Sequence, residues 1–398
     1  MSTSLCEGVS WVGAVDWTIR DFHGYETERG SSYNAYLIED KQPTLIDVVK
    51  APFTDLLLSN ISALIRLDSV RWVVCNHAEP DHASALPDVM AALPNAALVC
   101  TEKCRRTLDA YYDMGNWNLH IIKPGDTLNI GARTLAFIQT PMAHWPESMF
   151  TYSPQDKVLF SMDAFGQHYA ASERFDDETD LCQMLQEAKT YYANILLPYG
   201  EPVVRAMTSA LKCDIDMIAP SHGLIWRSHI HKLLEAYKAW AAGIVNPRAL
   251  IVYDSMWGST ARMAQAVYEG VVDGGAQAQL HHVRQSGLTR IAAEALDAAS
   301  IAVGSPTLNG GPMPMAAAAL TYLQGLKPPC KAALAFGSYG WMKGGAEAAQ
   351  AMFESLNWHV VREPIRAQYR PSEQILTECR EAGRILAEKA IEAAGQHI

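Results

Sequence analysis

The apolar positions of the first 246 residues mix short strand-like runs with segments of helical spacing. Gly131 and the run 153–156 mark two hairpin turns. The pattern predicts strands over 33–38, 44–49 and 70–75, hairpins over 126–140 and 149–162, and helices over 51–65, 178–195 and 201–212. Strands joined by hairpins, with helices between them, indicate an α+β domain in which sheets and helices form layers.

From residue 247 onward, apolar strand-like runs alternate regularly with helical segments. The pattern predicts strands over 249–254, 277–284, 300–304, 331–336 and 359–367, and helices over 259–273, 289–298, 314–324, 345–356 and 373–394. Five strands alternating with helices indicate an α/β domain, a doubly wound parallel sheet with helices on both faces. Gly243 and Pro247 separate the two patterns, so we expect domains at 1–246 and 247–398.

The composition fits two globular domains and excludes several classes of partner. Apolar residues make up 49% of the 398 residues and charged residues 19%, a balance typical of proteins with packed cores. The net charge of −11, without any basic block, argues against nucleic acid and anionic membranes as partners. No secretory signal and no apolar run of about 20 residues is present, which favours a cytoplasmic protein. The eight cysteines form no CxxC pair, which argues against a rubredoxin-type iron site or a zinc ribbon within this chain.

The strand-like run 70–75 leads directly into a cluster of potential metal ligands. His77, Glu79, Asp81 and His82 all lie within six residues. An extended loop here would let the first two side chains project one way while the last two reach a neighbouring point. The cluster therefore predicts a site for two metal ions.

Three later residues follow strand-like runs in the same manner: His144, Asp163 and His222. A lone histidine at a strand end is more often a hydrogen-bonded loop residue, so each gains weight only from the cluster at 77–82. Together the seven positions supply four imidazoles and three carboxylates. A carboxylate such as Asp163 can bridge two cations and offset their repulsion.

Three loops at predicted strand ends in the second domain indicate a binding site for a phosphate and a flat ring. The first loop opens a helix and offers hydroxyl and N–H groups to a phosphate. It lacks both the GK[ST] ending of a triphosphate loop and the GxGxxG of a dinucleotide site. Ligands of such sheets bind beyond the carboxyl ends of the strands, so the loops should converge. The predicted binding residues are Ser255, Met256, Trp257, Gly258, Ser259, Thr260, Ser305, Pro306, Thr307, Leu308, Asn309, Gly310, Ser338, Tyr339, Gly340 and Trp341.

Both constellations resemble known families. The cluster at 77–82 resembles the metal motif of the metallo-β-lactamase fold, except that Glu79 stands where zinc enzymes usually carry histidine. The added carboxylate favours iron over zinc. The three loops resemble those of flavodoxin, which implies FMN. Together, over essentially the whole chain, the motifs resemble the flavodiiron family (A-type flavoproteins), which includes rubredoxin:oxygen oxidoreductases and nitric oxide reductases. Further matches lie at 17–25, 144–146, 163–167 and 191–194.

This resemblance implies a metallo-β-lactamase-like αββα sandwich followed by a flavodoxin-like sheet. It implies that one iron is held by His77, Glu79 and His144, the other by Asp81, His82 and His222, with Asp163 bridging them. In one variant of the family the residue equivalent to His82 does not bind metal in every structure. Side chains expected around these residues are His23, Tyr25, Trp145, His168 and Tyr192.

The resemblance also implies an activity and partners. FMN would pass electrons to two irons, which reduce dioxygen to water or nitric oxide to nitrous oxide. The electron donor would be a rubredoxin, another reductase or a reduced deazaflavin. A head-to-tail homodimer or a tetramer is expected. Two alternatives remain: a zinc hydrolase with an appended flavodoxin domain, against which Glu79 argues, and a non-catalytic electron carrier, against which the complete ligand set argues.

Overall fold

The computed structural model describes residues 2–329 and 331–395; Cys330 lies outside them. The chain forms two compact units. One comprises Met1–Tyr191 and Tyr199–Tyr237, and the other comprises Tyr192–Pro198 and Lys238–Ile398. Within the described ranges, no helix is both long enough and apolar enough to cross a membrane.

The first part of the chain contains sixteen strands among its described residues. They are β1 (Thr3–Cys6), β2 (Val9–Trp11), β3 (Ala14–Asp16), β4 (Asp21–Phe22), β5 (Tyr25–Glu26), β6 (Ser31–Tyr33), β7 (Tyr36–Ile38), β8 (Thr44–Ile46), β9 (Trp72–Val74), β10 (Ala97–Thr101), β11 (Asn118–Ile122), β12 (Thr127–Asn129), β13 (Thr134–Gln139), β14 (Met149–Ser153), β15 (Val158–Met162) and β16 (Met217–Pro220). The α-helices are α1 (Thr54–Ser62), α2 (Pro80–Ala83), α3 (Leu86–Ala92), α4 (Glu102–Tyr111), α5 (Leu181–Tyr191), α6 (Gly200–Ala210) and α7 (Ile230–Ala241).

Two mixed sheets face each other in this unit. The seven-stranded sheet has the order β1-β2-β7-β8-β9-β10-β11, and the five-stranded sheet has the order β12-β13-β14-β15-β16. Because side chains alternate between the faces of a strand, Leu37 and Leu45 pack in the core that contains Leu57 of α1. Their neighbours Tyr36 and Ile46 pack instead in the core shared with the second sheet. The predicted layered sandwich is confirmed.

The second part of the chain alternates strands and helices as predicted. The strands are β17 (Asn246–Tyr253), β18 (Gln277–His282), β19 (Ala298–Gly304), β20 (Thr307–Leu308), β21 (Gly311–Pro312), β22 (Ala332–Tyr339), β23 (His359–Val360) and β24 (Ile365–Gln368). The helices are α8 (Ser259–Asp273), α9 (Val283–Ser286), α10 (Leu288–Asp297), α11 (Pro314–Leu326), α12 (Gly345–Ser355) and α13 (Glu373–Gly395).

The main sheet of this unit is parallel, with the order β18-β17-β19-β22-β23 and β24 also pairing with β22. Alternate residues of β17 face opposite sides: Ile251 packs in one core and Leu250 in the other. Both faces are covered, as a parallel sheet requires. The strand predicted over 359–367 is wrong in one respect, because it is divided into β23 and β24. Pro364, just before β24, has no N–H to donate to a ladder.

Candidate metal centre and flavin cavity

Three of the seven predicted metal residues follow strand ends on the same side of the five-stranded sheet. Both β13 and β15 pair antiparallel with β14, so they run in the same direction, and β16 runs parallel to β15. The loops after these three strands carry His144, Asp163 and His222. His77 comes from the other sheet, after β9. Chain connectivity therefore brings distant segments of the sequence to one place.

Asp163 lies at the centre of this cluster and is fully buried. Its Oδ2 atom is 3.1 Å from Nε2 of His77 and 3.1 Å from Nε2 of His144. Its Oδ1 atom is 3.0 Å from Nε2 of His82 and 3.3 Å from Nε2 of His222. Each oxygen of one carboxylate thus faces a separate pair of imidazoles.

The other two carboxylates divide between the same pairs. Oε2 of Glu79 is 3.1 Å from Nε2 of His77 and 3.3 Å from Nε2 of His144. Oδ2 of Asp81 is 3.0 Å from Nε2 of His222 and 3.3 Å from Nε2 of His82. The seven side chains that the sequence singled out therefore form two donor sets, each with two imidazoles and one carboxylate, joined by Asp163.

The donor atoms fit a pair of cations. Several buried atoms of the cluster make no hydrogen bond to any described residue: Oδ1 and Oδ2 of Asp81, Oδ1 of Asp163, Nε2 of His82, Nε2 of His222 and Nε2 of His23. Imidazole nitrogens and carboxylate oxygens among them approach one another to 3.0–3.3 Å. Buried polar groups without hydrogen bonds are costly unless another partner satisfies them. Imidazole and carboxylate donors suit iron, and the combination of two histidines with a carboxylate is characteristic of non-haem ferrous sites.

Protonation of the cluster without a cation leads to the same conclusion. Burial lowers the pKa of His222, but the neighbouring carboxylates of Asp163 and Asp81 outweigh it and raise the pKa to about 10. Burial also lowers the pKa of His77, but the surrounding carboxylates outweigh burial and raise this pKa well above its usual value. Burial raises the pKa of Glu79, but hydrogen bonds from His144 and His77 lower it to about 2. The imidazoles of His77 and His222 thus hold protons that bound cations would replace.

The loop that carries these ligands is extended only in its first half. Glu79 has extended backbone dihedrals, φ −60° and ψ 142°, but Pro80 begins the single helical turn α2. A proline suits the first position of a helix because it has no N–H to leave unpaired. The extended loop expected through 81–82 is therefore wrong, and the turn places Asp81 and His82 beside each other.

Sequence inspection missed three residues that hold the metal residues, or the backbone next to them, from behind. Oε1 of Glu147 is 2.8 Å from Nδ1 of His77, and the carbonyl of Ser32 is 2.7 Å from Nδ1 of His222. Asp47 accepts hydrogen bonds from the backbone N–H and the side-chain amide of Asn76, at 2.7 and 2.9 Å. Glu147 lies in the turn just before β14, and no spacing in the sequence links it to His77, 70 positions away.

Five aromatic or imidazole side chains lie around the donor sets. Nε2 of His23 is 3.3 Å from Oδ2 of Asp81, and its Nδ1 is 3.3 Å from Nε2 of His168, which also bonds Ser31 at 2.7 Å. The ring of Tyr191 lies 5.0 Å from that of His168. Two further expected neighbours also lie here. The ring of Tyr25 is 5.5 Å from that of His168, and the ring of Trp145 is 5.2 Å from that of His77.

The expectation for Tyr192 is not met by its ring contacts. Tyr192 packs against Trp240, with ring centroids 5.3 Å apart. The preceding residue, Tyr191, is the one whose ring faces His222, at 6.2 Å. A shift of one residue along a helix turns the side chain by about a quarter of a turn, which residue counting from a motif does not resolve.

The second unit contains a cavity of about 620 Å³ at the carboxyl ends of its strands. All three predicted loops contribute to its lining. The lining residues are Met256, Trp257, Ser259, Pro306, Thr307, Leu308, Asn309, Gly310, Ser338, Tyr339, Gly340, Trp341, Met342 and Tyr369. The volume lies in the ordinary range for small-molecule and cofactor sites.

Four of the predicted residues stand behind this lining. Thr260 is buried and its Oγ1 lies 2.9 Å from Oγ of Ser338. Ser255 accepts a hydrogen bond from the N–H of Gly258, whose φ of +84° suits glycine at the start of α8. Ser305 accepts a hydrogen bond from the N–H of Met313.

Two lining residues, Met342 and Tyr369, were not predicted. Met342 directly follows the third loop, and Tyr369 follows β24, whose end was placed too early in the sequence.

Comparison with known proteins matches both units. The family model described as ODP family beta lactamase matches residues 32–223, and the Flavodoxin model matches residues 251–383. A protein of Moorella thermoacetica named nitric oxide reductase is 41% identical, over 96% of this chain and 98% of its own length. The flavodiiron protein from Giardia intestinalis superposes with a TM-score of 0.97 at 40% identity, covering 100% of this chain and 98% of that one. Rubredoxin oxygen:oxidoreductase from Desulfovibrio gigas superposes with a TM-score of 0.96 at 33% identity, covering 99% of both chains.

The fold and the two sites define a class of protein in which a β-lactamase-like domain with a histidine–carboxylate cluster is joined to a flavodoxin domain. The chain belongs to the flavodiiron protein family, because its likeness to flavodiiron structures extends over its whole length. The family expected from the motifs and the fold class are confirmed.

Proposed function

We propose that this protein is an FMN- and diiron-dependent oxidoreductase that reduces dioxygen to water, nitric oxide to nitrous oxide, or both. The observation that carries the proposal is the position of Asp163, whose two oxygens each face a separate pair of imidazoles at 3.0–3.3 Å. When bound, FMN supplies electrons and the iron pair supplies the place where the diatomic substrate is reduced.

The proposed ligands follow the two donor sets. His77, Glu79 and His144 would hold one iron, and Asp81, His82 and His222 the other, with Asp163 shared. The short contacts of these side chains within one buried cluster support this assignment. His23 also groups with Asp81 and His222, so it faces the second set. The hydrogen bonds of His168 to His23 and Ser31 fix the orientation of His23 there.

The residues of the second unit suit FMN. Ser259, in the first turn of α8, lines the cavity where helix N–H groups and the positive end of the helix dipole favour a phosphate. Trp257 and Trp341 line the same cavity and offer aromatic faces to a flat ring. We also propose a boundary between the two domains at 246/247, within one residue of the start of β17 at Asn246, the first strand of the flavodoxin sheet in sequence order.

A head-to-tail homodimer is proposed as the working assembly, with a tetramer made of two such dimers as the alternative. Apolar side chains at the cavity rim support a surface that another subunit covers: Trp257 and Trp341 are each 89% exposed, and Tyr369 is 65% exposed. Monomeric proteins seldom expose contiguous apolar surface of this kind. Sedimentation velocity distinguishes dimer and tetramer from the monomer that would contradict the proposal.

The electron donor is proposed to be a separate rubredoxin or reductase, or a reduced deazaflavin, acting in the cytoplasm. The name of the Desulfovibrio gigas relative includes rubredoxin, and this chain has no CxxC pair of its own. A donor assay that follows flavin bleaching under anaerobic conditions compares the three classes directly.

Metal and flavin content test the proposal first. Protein purified without added metal should contain about two irons and one FMN per chain. Chemically reduced protein should then consume dioxygen or nitric oxide in anaerobic mixing experiments. Two zincs that iron reconstitution does not displace would favour the hydrolase, and FMN without metal after reconstitution would favour the electron carrier.

A further inference from the structure

Glu147 is a buried carboxylate that touches the metal cluster only from behind. Its side chain is 0% exposed. Oε1 lies 2.8 Å from Nδ1 of His77 and accepts a second hydrogen bond, at 3.1 Å, from the backbone N–H of Ala78. One oxygen thus holds both the imidazole ring and the backbone that follows it.

The contact fixes which nitrogen of His77 faces the cluster. An ionised carboxylate has only acceptors, so the Nδ1–H of His77 donates to Glu147. Nε2 then faces Glu79 and Asp163, whose oxygens are both 3.1 Å away, and its lone pair would bind a cation once the cation replaces its proton. A carboxylate behind an imidazole orients the ring and raises its basicity as a ligand.

In the second donor set, His222 has a neutral partner at the corresponding nitrogen. Nδ1 of His222 donates to the carbonyl of Ser32 at 2.7 Å, a neutral partner. Glu147 also adds a fourth negative charge to those of Glu79, Asp81 and Asp163, which equals the charge of two divalent cations. The two sets therefore differ in the charge that stands behind one of their histidines.

We propose that Glu147 is a positioning residue that orients His77 and lowers the reduction potential of the iron His77 would hold, making the two irons electronically unequal. The proposal rests on the diiron function proposed above. Partners of this kind change metal affinity by about 10- to 100-fold when they are removed.

The test compares Glu147→Gln, Glu147→Ala and a matched control, Asp176→Asn, in the full-length FMN-loaded protein. Asp176 is also a buried carboxylate that accepts backbone hydrogen bonds, from the N–H groups of Arg227 and Ser228. Chelator competition measures iron affinity, and redox titration followed by electron paramagnetic resonance measures the potentials of the iron pair. Circular dichroism and FMN content verify folding.

In Glu147→Gln, which keeps the shape and removes the charge, iron affinity should fall by about 10-fold or more and one potential should rise. Glu147→Ala should lose at least as much affinity, and the control should keep both properties. If Glu147→Ala does not fold, the glutamine variant alone decides. Unchanged potentials in the folded glutamine variant would overturn the proposal, whatever happens to iron affinity. A wild-type protein that binds no iron would instead overturn the diiron function itself, and the proposal with it.

Discussion

Oδ2 of Asp163 lies 3.1 Å from Nε2 of His77, although the two residues follow strands of different sheets. The contact ties the end of β15 to the end of β9 at the edge where the proposed metal residues meet. Both side chains are fully buried. A cation placed between them would be bound by both layers of the sandwich.

Replacing Asp163 with asparagine should remove the shared carboxylate and release iron while FMN stays bound. The amide keeps the size of the side chain but loses its charge, so iron affinity should fall by more than about tenfold, the scale of effects seen for outer partners alone. Iron and FMN per chain measure the outcome. Asp109→Asn serves as the control, because its side chain is 62% exposed. Full iron content in Asp163→Asn would remove Asp163 from the site.

Replacing Trp341 with alanine should weaken FMN binding without affecting iron. The side chain is 89% exposed, so its loss leaves the core intact, but it lines the cavity. Aromatic stacking contributes about 0.5–1.5 kcal/mol, which corresponds to about 2- to 10-fold in affinity. Fluorescence titration of the FMN-free protein measures this effect. Trp17→Ala, at a position 55% exposed in the other unit, is the control. Equal FMN affinities in wild type and Trp341→Ala would mean that the ring does not rest there.

Gly223 should not tolerate alanine. Its φ is +78°, and a Cβ atom there would lie 1.7 Å from Oε1 of Gln167 and 2.4 Å from the backbone oxygen of the same residue. The left-handed backbone and the overlap together should cost about 2–4 kcal/mol of unfolding free energy and displace the neighbouring His222. Urea denaturation and iron content check both effects. Gly200→Ala, where a Cβ meets nothing within 4 Å, should change stability by less than about 1 kcal/mol. A wild-type midpoint in Gly223→Ala would contradict the packing described.

Glu187 should make the protein less stable as the pH rises. Burial raises the pKa of its carboxyl to about 7, in spite of the nearby Arg29. The folded state therefore binds the proton more tightly than the unfolded chain, whose carboxyl titrates near its ordinary value of 4.5. Stability is lost as the pH rises from about 4.5 to about 7, by about 3 kcal/mol.

Glu187→Gln should remove this loss, because its amide does not titrate. Urea denaturation at pH 5 and pH 8 compares the variant with wild type, and the gain in stability should be several-fold larger at pH 8. Gln183 and Arg29, which contact the carboxyl, and the nearby Glu28 remain unchanged in the variant. Equal gains at both values of pH would show that Glu187 titrates normally in the folded protein.

Local sequence pattern was sufficient for much of the molecule. Hydrophobic periodicity placed α8 at its observed bounds and predicted the parallel sheet, since both depend on which side chains leave water. The ligand-rich run at 77–82 and the three loops of the second domain were visible because the chemistry of each is concentrated in a few consecutive residues. The sequence pattern did not show that the strand predicted over 359–367 is divided into β23 and β24, or that Pro80–Ala83 form a helical turn. The structure of such short segments depends on their neighbours in space.

Tertiary structure alone decided how separate segments combine. Nothing in the spacing of Glu147 and His77, 70 residues apart, indicates that they share a hydrogen bond. The choice of Tyr191 over Tyr192 beside His222 depends on the rotation of one helix. Met342 and Tyr369 join the flavin cavity through the folding of their loops. The sequence by itself determined which residue types and local elements are available, because these follow from side-chain chemistry and periodicity. The partner of each buried polar atom was decided only by packing, since such partners are selected by distance in space and not along the chain.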